Sequence, residues 1–116
     1  IFADSAVALR FAIVGPPGPL PGEIGHELLW ICQEASVNAL KHAAATRFGV
    51  ELRFDAAGTT VALTDDGCGF DLAARAPGLG LRGMAERAEV IGAKLRITSV
   101  AGVGTTVEIR LPAGKS

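Results

Sequence analysis

Hydrophobic residues alternate with polar or small residues in five stretches of this chain, and they recur at intervals of three and four residues in two others. Alternation predicts a strand with one buried face, whereas the longer interval predicts an amphipathic helix. The predicted strands run through residues 7–13, 48–54, 61–65, 95 onward and 105–111. The predicted helices cover residues 24–42 and 81–91, and Gly92 is placed to end the second one.

Turn-forming residues separate these elements. Residues 15–19 interrupt the chain before the first helix, residues 56–58 join two strands, and residues 101–102 join the last two. Because two of the four connections between successive strands are short, hairpin-like turns and the other two contain the helices, we expect a mixed, mainly antiparallel sheet of about five strands with the helices packed on one face. The predicted fold class is therefore α+β, as a two-layer α/β sandwich.

Composition narrows the possible functions. The chain has 116 residues, of which 49% are hydrophobic and 20% charged, as in a single globular domain. Its net charge of −1 provides no basic field for nucleic acid or for an acidic membrane surface. The sequence contains neither a signal peptide nor an apolar run of membrane-spanning length. We predict one domain over residues 1–116, and because the first residue is Ile1 we expect a longer parent protein.

One edge of the first predicted helix carries a candidate metal ligand. The apolar stripe that should face the sheet is formed by Leu28, Ile31, Cys32, Ala35 and Ala39. Glu34, Asn38 and Lys41 lie within about 60° of one another at the border of this stripe, with His42 just inside it. An Asn carbonyl oxygen is a hard ligand suited to Mg²⁺, and Glu34 could orient a bound water or accept a proton. The same residues also fit an ordinary solvated edge with a Glu34–Lys41 pair.

An acidic residue ends the third predicted strand. Asp65 is in phase with the inward residues of that strand, so its carboxylate should be buried and should need hydrogen-bond donors. The exocyclic amine of adenine is one such donor, and Gly67 and Gly69 would then permit unusual backbone angles and close approach of a ligand. A surface turn explains the same residues. Thr105 favours the ligand, because it lies inward on the last strand, where its hydroxyl could meet Asp65 or the base.

A pair of glycines precedes the second predicted helix. Gly78 and Gly80 would leave backbone amides free at the helix N-terminus, where they can receive a phosphate. Arg82 could add a charged contact there or simply pair with Glu86. Residues 78–83 also match the dinucleotide pattern G-x-G-x-x-G, but that pattern should follow directly on a strand, and here a loop precedes it.

Taken in order, these motifs resemble those of the Bergerat-fold ATPases, a superfamily that includes DNA gyrase, heat-shock chaperone ATPases, mismatch-repair proteins and sensor histidine kinases. Glu34 and Asn38 resemble the N box, residues 65–69 and 78–81 the two glycine boxes, and residues 102–105 the closing motif. The wider strings at residues 38–43 and 80–88 resemble histidine kinases of the nitrate-sensor and desaturase-sensor type. The resemblance covers about residues 24–112.

The resemblance implies a role for each motif. Asn38 would bind Mg²⁺, Asp65 would bind the adenine amine, and Thr105 would support the base. The implied nucleotide-binding set comprises Asn38, Lys41, His42, Asp65, Gly67, Gly69, Gly78, Gly80, Leu81 and Thr105, and residues 66–80 would hold the ATP lid. Glu34 is the implied catalytic residue, as a general base, with an acidic residue beside the phosphoacceptor histidine as the alternative base.

By this resemblance the chain is the catalytic domain of a two-component sensor histidine kinase. It would bind ATP and Mg²⁺ and transfer the γ-phosphoryl group to a histidine on a separate dimerisation domain, with a response regulator downstream. The implied location is cytoplasmic, with no nucleic-acid or membrane contact from this domain, in a parent that is either free or membrane-anchored. The alternatives are an anti-sigma-type serine kinase, a nucleotide-sensing module without transfer, and an adaptor that binds through Trp30 and Val37.

Overall fold

The computed structural model describes residues 8–15, 22–42, 44–69 and 80–112. In chain order its elements are β1 (Ala8–Val14), α1 (Gly22–Val37), a π-helical turn (Asn38–His42), β2 (Arg47–Asp55), β3 (Gly58–Asp65), α2 (Leu81–Val90), β4 (Lys94–Val100) and β5 (Gly104–Pro112). All the elements predicted from the hydrophobic pattern are present. Gly92 follows α2 with a φ of +70°, which confirms it as the helix stop.

The strands form one sheet in the order β1-β2-β3-β5-β4. The β1–β2 pair is parallel, and the other three pairs are antiparallel. The parallel pair arises because α1 lies between these two strands in the chain and carries it back to the starting edge. The predicted mixed, mainly antiparallel sheet is therefore confirmed.

One hydrophobic core joins the sheet to both helices. It contains Leu28, Ile31, Ala35 and Ala39 from α1 and its last turn, Met84 and Ala88 from α2, Ala45, and the inward strand residues Phe48, Val61, Leu63, Val107, Ile109 and Leu111. The buried strand residues alternate with exposed or half-buried ones, so one face of the sheet carries the helices. This two-layer arrangement places the polar ends of α1, β3 and β5 beside one another.

The edge strand β1 is exposed along its whole length. Leu9, Phe11 and Ile13 pair in register with Phe48, Val50 and Leu52 of β2 and so share the face that carries the core. Their side chains nevertheless remain 50–59% exposed. The predicted alternation is correct for the strand, but the described helices stop short of covering it.

The first helix changes its hydrogen-bonding period before it ends. After Val37 the chain continues as the π-helical turn Asn38–His42, and Ala45 then donates a backbone hydrogen bond to the carbonyl of Ala39 at 3.0 Å. Ala44 adopts a φ of +51°, which marks the sharp exit from the helix. Short π-helical segments often lie at functional sites, and this one begins at the predicted Mg²⁺ ligand.

The two cysteines have different environments. Burial raises the pKa of the Cys32 thiol to about 11, whereas Cys68 is exposed. Because the thiolate is the reactive form, we expect Cys68 to react rapidly with a chromogenic disulfide reagent at about pH 8, and Cys32 to react only after unfolding. Rapid modification of both thiols in the native protein would contradict the burial of Cys32, and the Cys68→Ser variant serves as the control.

Candidate nucleotide site

A small cavity lies where the end of β3 and the start of β5 approach the end of α1. Its volume is about 10 Å³, roughly the space of one water molecule. It is lined by Ala35, Asn38, Phe48, Leu63, Asp65, Leu81, Ile97, Thr105 and Val107. Asn38 from the helical layer and Asp65 from the sheet therefore face the same space, together with the predicted site residues Leu81 and Thr105.

Asp65 is the last residue of β3 and is 8% exposed. Its Oδ1 accepts a hydrogen bond of 2.8 Å from the backbone N–H of Gly67, and it pairs in register with Thr105 of β5. Burial raises the pKa of the Asp65 carboxyl, and the backbone N–H groups of Gly67 and Thr105 offset part of that rise. The fold therefore holds a carboxylate whose charged form is better satisfied with further donors.

The hydroxyl of Thr105 has a partner that the sequence did not indicate. Its Oγ1 lies 2.9 Å from Oγ of Ser99, the residue opposite it on β4. Of the two expected partners of this hydroxyl, Asp65 and the base, the Asp65 carboxylate is contacted by the backbone N–H of Thr105 instead. The contact with the base stays a prediction. Ser99 would have been recognisable only with the β4–β5 register in hand.

The two glycines after Asp65 differ in their roles. Gly69 has a φ of +76°, and a Cβ there would collide with the carbonyl of Val100 and lie 3.2 Å from Oγ of Ser99. The predicted unusual backbone angle is therefore confirmed for Gly69. It is wrong for Gly67, which is absent from the glycines with positive φ and acts instead through its N–H bond to Asp65.

Asp66 anchors the neighbouring strand. Its carboxylate accepts hydrogen bonds from the backbone N–H groups of Thr46 and Arg47, both at 2.8 Å, and from the Thr46 hydroxyl at 2.6 Å. The Thr46 hydroxyl, aided by the backbone N–H of Arg47, lowers the pKa of the Asp66 carboxyl. Sequence reasoning gave Asp66 no role, because its partners lie about 20 positions away in the chain.

Glu34 lies against the start of α2. Gly80 is the N-cap of that helix, with a φ of +68° and no side-chain cap. A Cβ at Gly80 would lie 2.6 Å from Oε1 of Glu34, so the absence of a side chain allows this approach. A carboxylate near a helix N-terminus is electrostatically favoured, and incoming phosphate groups are favoured in the same place.

Residues 25–115 match the family described as "Histidine kinase-, DNA gyrase B-, and HSP90-like ATPase". The chain belongs to this ATPase family. The superfamily resemblance drawn from the four motifs is therefore confirmed.

Two curated relatives of this ATPase domain are sensor proteins. The chain is 42% identical over 95 residues to "Sensor histidine kinase YhcY" of Bacillus subtilis strain 168, covering 80% of this chain and 25% of that protein. It is 34% identical over 97 residues to "Sensor protein VraS" of Staphylococcus saprophyticus, covering 83% of this chain and 28% of that protein. The chain thus spans about a quarter of the length of these relatives.

Solved structures give the same fold. The histidine kinase domain from the Erythrobacter litoralis EL346 blue-light activated histidine kinase has a TM-score of 0.69 at 27% identity, over 90% of this chain and 52% of that one. The ATP binding domain of PrrB from Mycobacterium tuberculosis also has a TM-score of 0.69, at 25% identity, over 92% of this chain and 82% of that one. The two-layer fold predicted from the sequence is the fold of histidine kinase ATPase domains.

Some predicted site residues of the ATPase domain have no described side chain. Lys41 and His42 belong to the π-helical turn, but only their backbones are described. Gly78 and the greater part of the predicted lid, residues 70–79, lie outside the described residues. The roles of these residues therefore stay predictions.

The oxygen-bearing side chains at the end of α1 have the chemistry that Mg²⁺ prefers. Across the four described stretches no group of three or more His, Cys, Asp and Glu side chains could hold a metal by itself. Asn38 is buried, with its side chain at the cavity, and Glu34 lies one turn earlier on α1. Neutral amide and carboxylate oxygens are hard ligands, and Mg²⁺ commonly completes its shell with waters and substrate phosphates. This pair therefore fits an ion that arrives with a nucleotide.

No helix among the described residues is both long enough and apolar enough to span a membrane.

Proposed function

We propose that this domain binds ATP with Mg²⁺ and supplies the γ-phosphoryl group to a histidine on a separate helical dimerisation domain. One observation carries the proposal: Asn38 and Asp65, which come from different layers of a histidine kinase-like ATPase fold, line the same cavity. The name of the Bacillus subtilis relative, a sensor histidine kinase, supports the histidine kinase assignment over the serine-kinase and sensing alternatives.

The sheet side of the cavity is assigned to adenine. The buried Asp65 carboxylate accepts a hydrogen bond from the exocyclic amine, and Thr105, held by Ser99, supports the base beside it. The remaining walls are largely apolar, which suits a purine ring. Because the cavity is far smaller than a purine, we propose that lining side chains, of which Leu81 is one, move to admit the base.

The helical side is assigned to the phosphates. Asn38 would hold Mg²⁺ through its amide oxygen, and the ion would neutralise phosphate charge when bound. Gly80 leaves backbone amides at the start of α2 open to phosphate oxygens, and Gly78 is assigned to the same phosphates by the resemblance alone. We place Lys41 and His42 near the same phosphates, because they follow Asn38 within one turn.

Phosphoryl transfer itself asks little covalent chemistry of the protein. An imidazole nitrogen of the acceptor histidine bonds to the γ-phosphorus as the bond to the β,γ-bridging oxygen breaks and ADP leaves. We assign proton acceptance to Glu34, which lies between Asn38 and the start of α2. The partners are the dimerisation domain of the parent and, downstream, a response regulator. We propose a cytoplasmic location and the nitrate-sensor or desaturase-sensor subtype.

The function is tested by mixing the domain with the dimerisation domain of its parent and radiolabelled ATP. We expect acid-labile phosphate on a histidine of the dimerisation domain and negligible label on the isolated ATPase domain. Acid-stable label would identify a serine kinase instead. Nucleotide binding without any transfer would identify a sensing module, and acid-labile phosphate on the isolated domain would contradict the division of labour between the two domains.

Asn38→Asp is expected to weaken ATP binding in the presence of Mg²⁺ by at least about tenfold, because it places a second negative charge in a buried site that faces phosphates. Calorimetric titration measures the effect. Gln33→Glu adds the same charge at an exposed position of the same helix and serves as the control. Equal affinities for Asn38→Asp and the control would reject the assignment of Asn38.

A further inference from the structure

The two helices meet along a seam that ends at the proposed phosphate site. Along α1 the contacting residues are Glu27, Trp30 and Glu34, and along α2 they are Arg87, Gly83 and Gly80 in the opposite order. The residues on each helix are three or four positions apart and therefore lie on one face. The helices are thus antiparallel here, and each α1 side chain meets a defined position of α2.

The close packing at the middle of the seam is possible because Gly83 has no side chain. A Cβ at Gly83 would lie 2.8 Å from Cη2 of Trp30, so the indole ring packs directly against the backbone of α2. The guanidinium carbon of Arg87 then lies 4.6 Å from the centroid of the same ring. This stacking of a cation on an aromatic ring fixes the guanidinium plane.

The far end of the seam is closed by an ion pair. Nη1 of Arg87 lies 3.1 Å and 3.3 Å from the two carboxylate oxygens of Glu27. The side chain of Glu27 is only 13% exposed and that of Arg87 is 39% exposed, whereas the Arg53 and Glu51 side chains of the pair on β2 are 52% and 40% exposed. Arg87 is thus held by a ring and by a shielded carboxylate at once, and this restrains both rotation and sliding of α2.

We propose that Arg87 is a positioning residue for nucleotide phosphates. By locking α2 onto α1, it holds the N-terminal end of α2, at Gly80, beside Glu34. The effect is transmitted along two turns of helix, and Arg87 itself touches no ligand. Most of the lining of the adenine side comes from the sheet, through Phe48, Leu63, Asp65, Ile97, Thr105 and Val107, and Leu81 is the one lining residue that α2 contributes. We therefore expect the seam to act on phosphate recognition more than on base recognition. The inference rests on the proposed ATP site and gives a role to Arg87, which lies within the string at residues 80–88 but received no role from the resemblance.

The test separates phosphate recognition from base recognition. Arg87→Ala is expected to weaken ATP binding about tenfold while the affinity for adenosine changes less than about twofold. Calorimetry measures the affinity for ATP in the presence of Mg²⁺, and NMR titration measures the affinity for adenosine. Trp30→Phe keeps an aromatic ring and should retain ATP affinity within about threefold, whereas Trp30→Ala should resemble Arg87→Ala.

Arg53→Ala removes the same charge from an exposed pair and should leave both affinities unchanged. Equal losses for ATP and adenosine in Arg87→Ala, or no loss for either, overturn the positioning role. If Arg87→Ala does not fold, Glu27→Gln tests the same role, because it removes the charge of the partner and keeps the side-chain size. It should reduce the affinity for ATP and leave the affinity for adenosine unchanged. Absence of ATP binding by the unsubstituted domain would instead refute the proposed function, and the positioning role with it.

Discussion

Asp65→Asn is expected to weaken ATP binding about 100-fold while leaving the domain folded. The buried carboxylate is assigned to the adenine amine, and hydrogen bonds to a charged group are worth about 1.5–3 kcal/mol. An asparagine can turn its own amine toward the base, which leaves two donors facing each other. Titration of the variant with ATP and Mg²⁺ measures the change, and unaltered affinity would remove Asp65 from the site.

The same substitution should not lower stability at neutral pH. Burial raises the pKa of Asp65 in the folded state, so folding favours the protonated form. Ionisation of Asp65 therefore lowers the free energy of unfolding, and this lowering is a cost to stability. That cost is absent below the unfolded pKa, near 3.8, and develops as the pH rises through the higher folded value. Because asparagine carries no charge, the melting temperature of the variant at about pH 7 should equal or exceed that of the unsubstituted domain.

The adjacent acid provides the matched control. The folded state lowers the pKa of Asp66, so its ionised form stabilises the fold above the unfolded pKa, and this stabilisation is lost as the pH falls through the folded value. Asp66→Asn should therefore lower the melting temperature at neutral pH and leave ATP affinity nearly unchanged, because Asp66 does not line the cavity. If Asp65→Asn and Asp66→Asn changed the melting temperature and the ATP affinity in the same way, the two acids would not have separate roles.

Gly104→Ala is expected to have the largest effect on stability, a loss of about 3 kcal/mol or more in the free energy of unfolding. Gly104 begins β5 with a φ of +143°, and a Cβ there would overlap the carbonyl oxygen of Asp65 and lie 3.1 Å from Cα of Asp66. A side chain at this position therefore pushes the end of β3 away from the start of β5. Chemical denaturation followed by circular dichroism measures the loss.

Gly102→Ala is the control for backbone conformation. Gly102 also has a positive φ, +77°, but a Cβ there would meet no atom within 4 Å. Its substitution should cost about 1 kcal/mol, the price of a left-handed conformation alone. If the two variants were equally destabilised, the close approach of Gly104 to Asp65 would have no energetic weight of its own.

Local patterns in the sequence were enough to predict the architecture. The alternation of hydrophobic and polar residues located the strands, because buried residues alternate with more exposed ones in β3 and β5. The order of the motifs placed Asn38 and Asp65 on facing layers. Asn38 is predicted at the border of the apolar stripe, where a side chain should be half-buried, but the residue is only 6% exposed, because it lies almost directly above the fully buried Ile31 on the helix. A helical wheel gives the direction of a side chain, but not how much of it the opposite layer covers.

Contacts that depend on distant pairing could not be read from the sequence. The Ser99–Thr105 bond requires the β4–β5 register, and the bonds of Asp66 to Thr46 require the β2–β3 register. Trp30 shows the same limit. One predicted alternative is an adaptor that binds through Trp30, on the face of the helix opposite the apolar stripe, but α2 packs over this residue and leaves the ring half-buried against Gly83.

Asp65 and Asp66 are neighbours whose proton affinities the fold pushes in opposite directions. On acidification the first of them is therefore neutralised while the second still carries its charge. As the pH falls, the domain should therefore lose its affinity for the purine before the sheet begins to unfold. Loss of the nucleotide in mild acid would then be a reversible change in a folded protein and not a sign of denaturation.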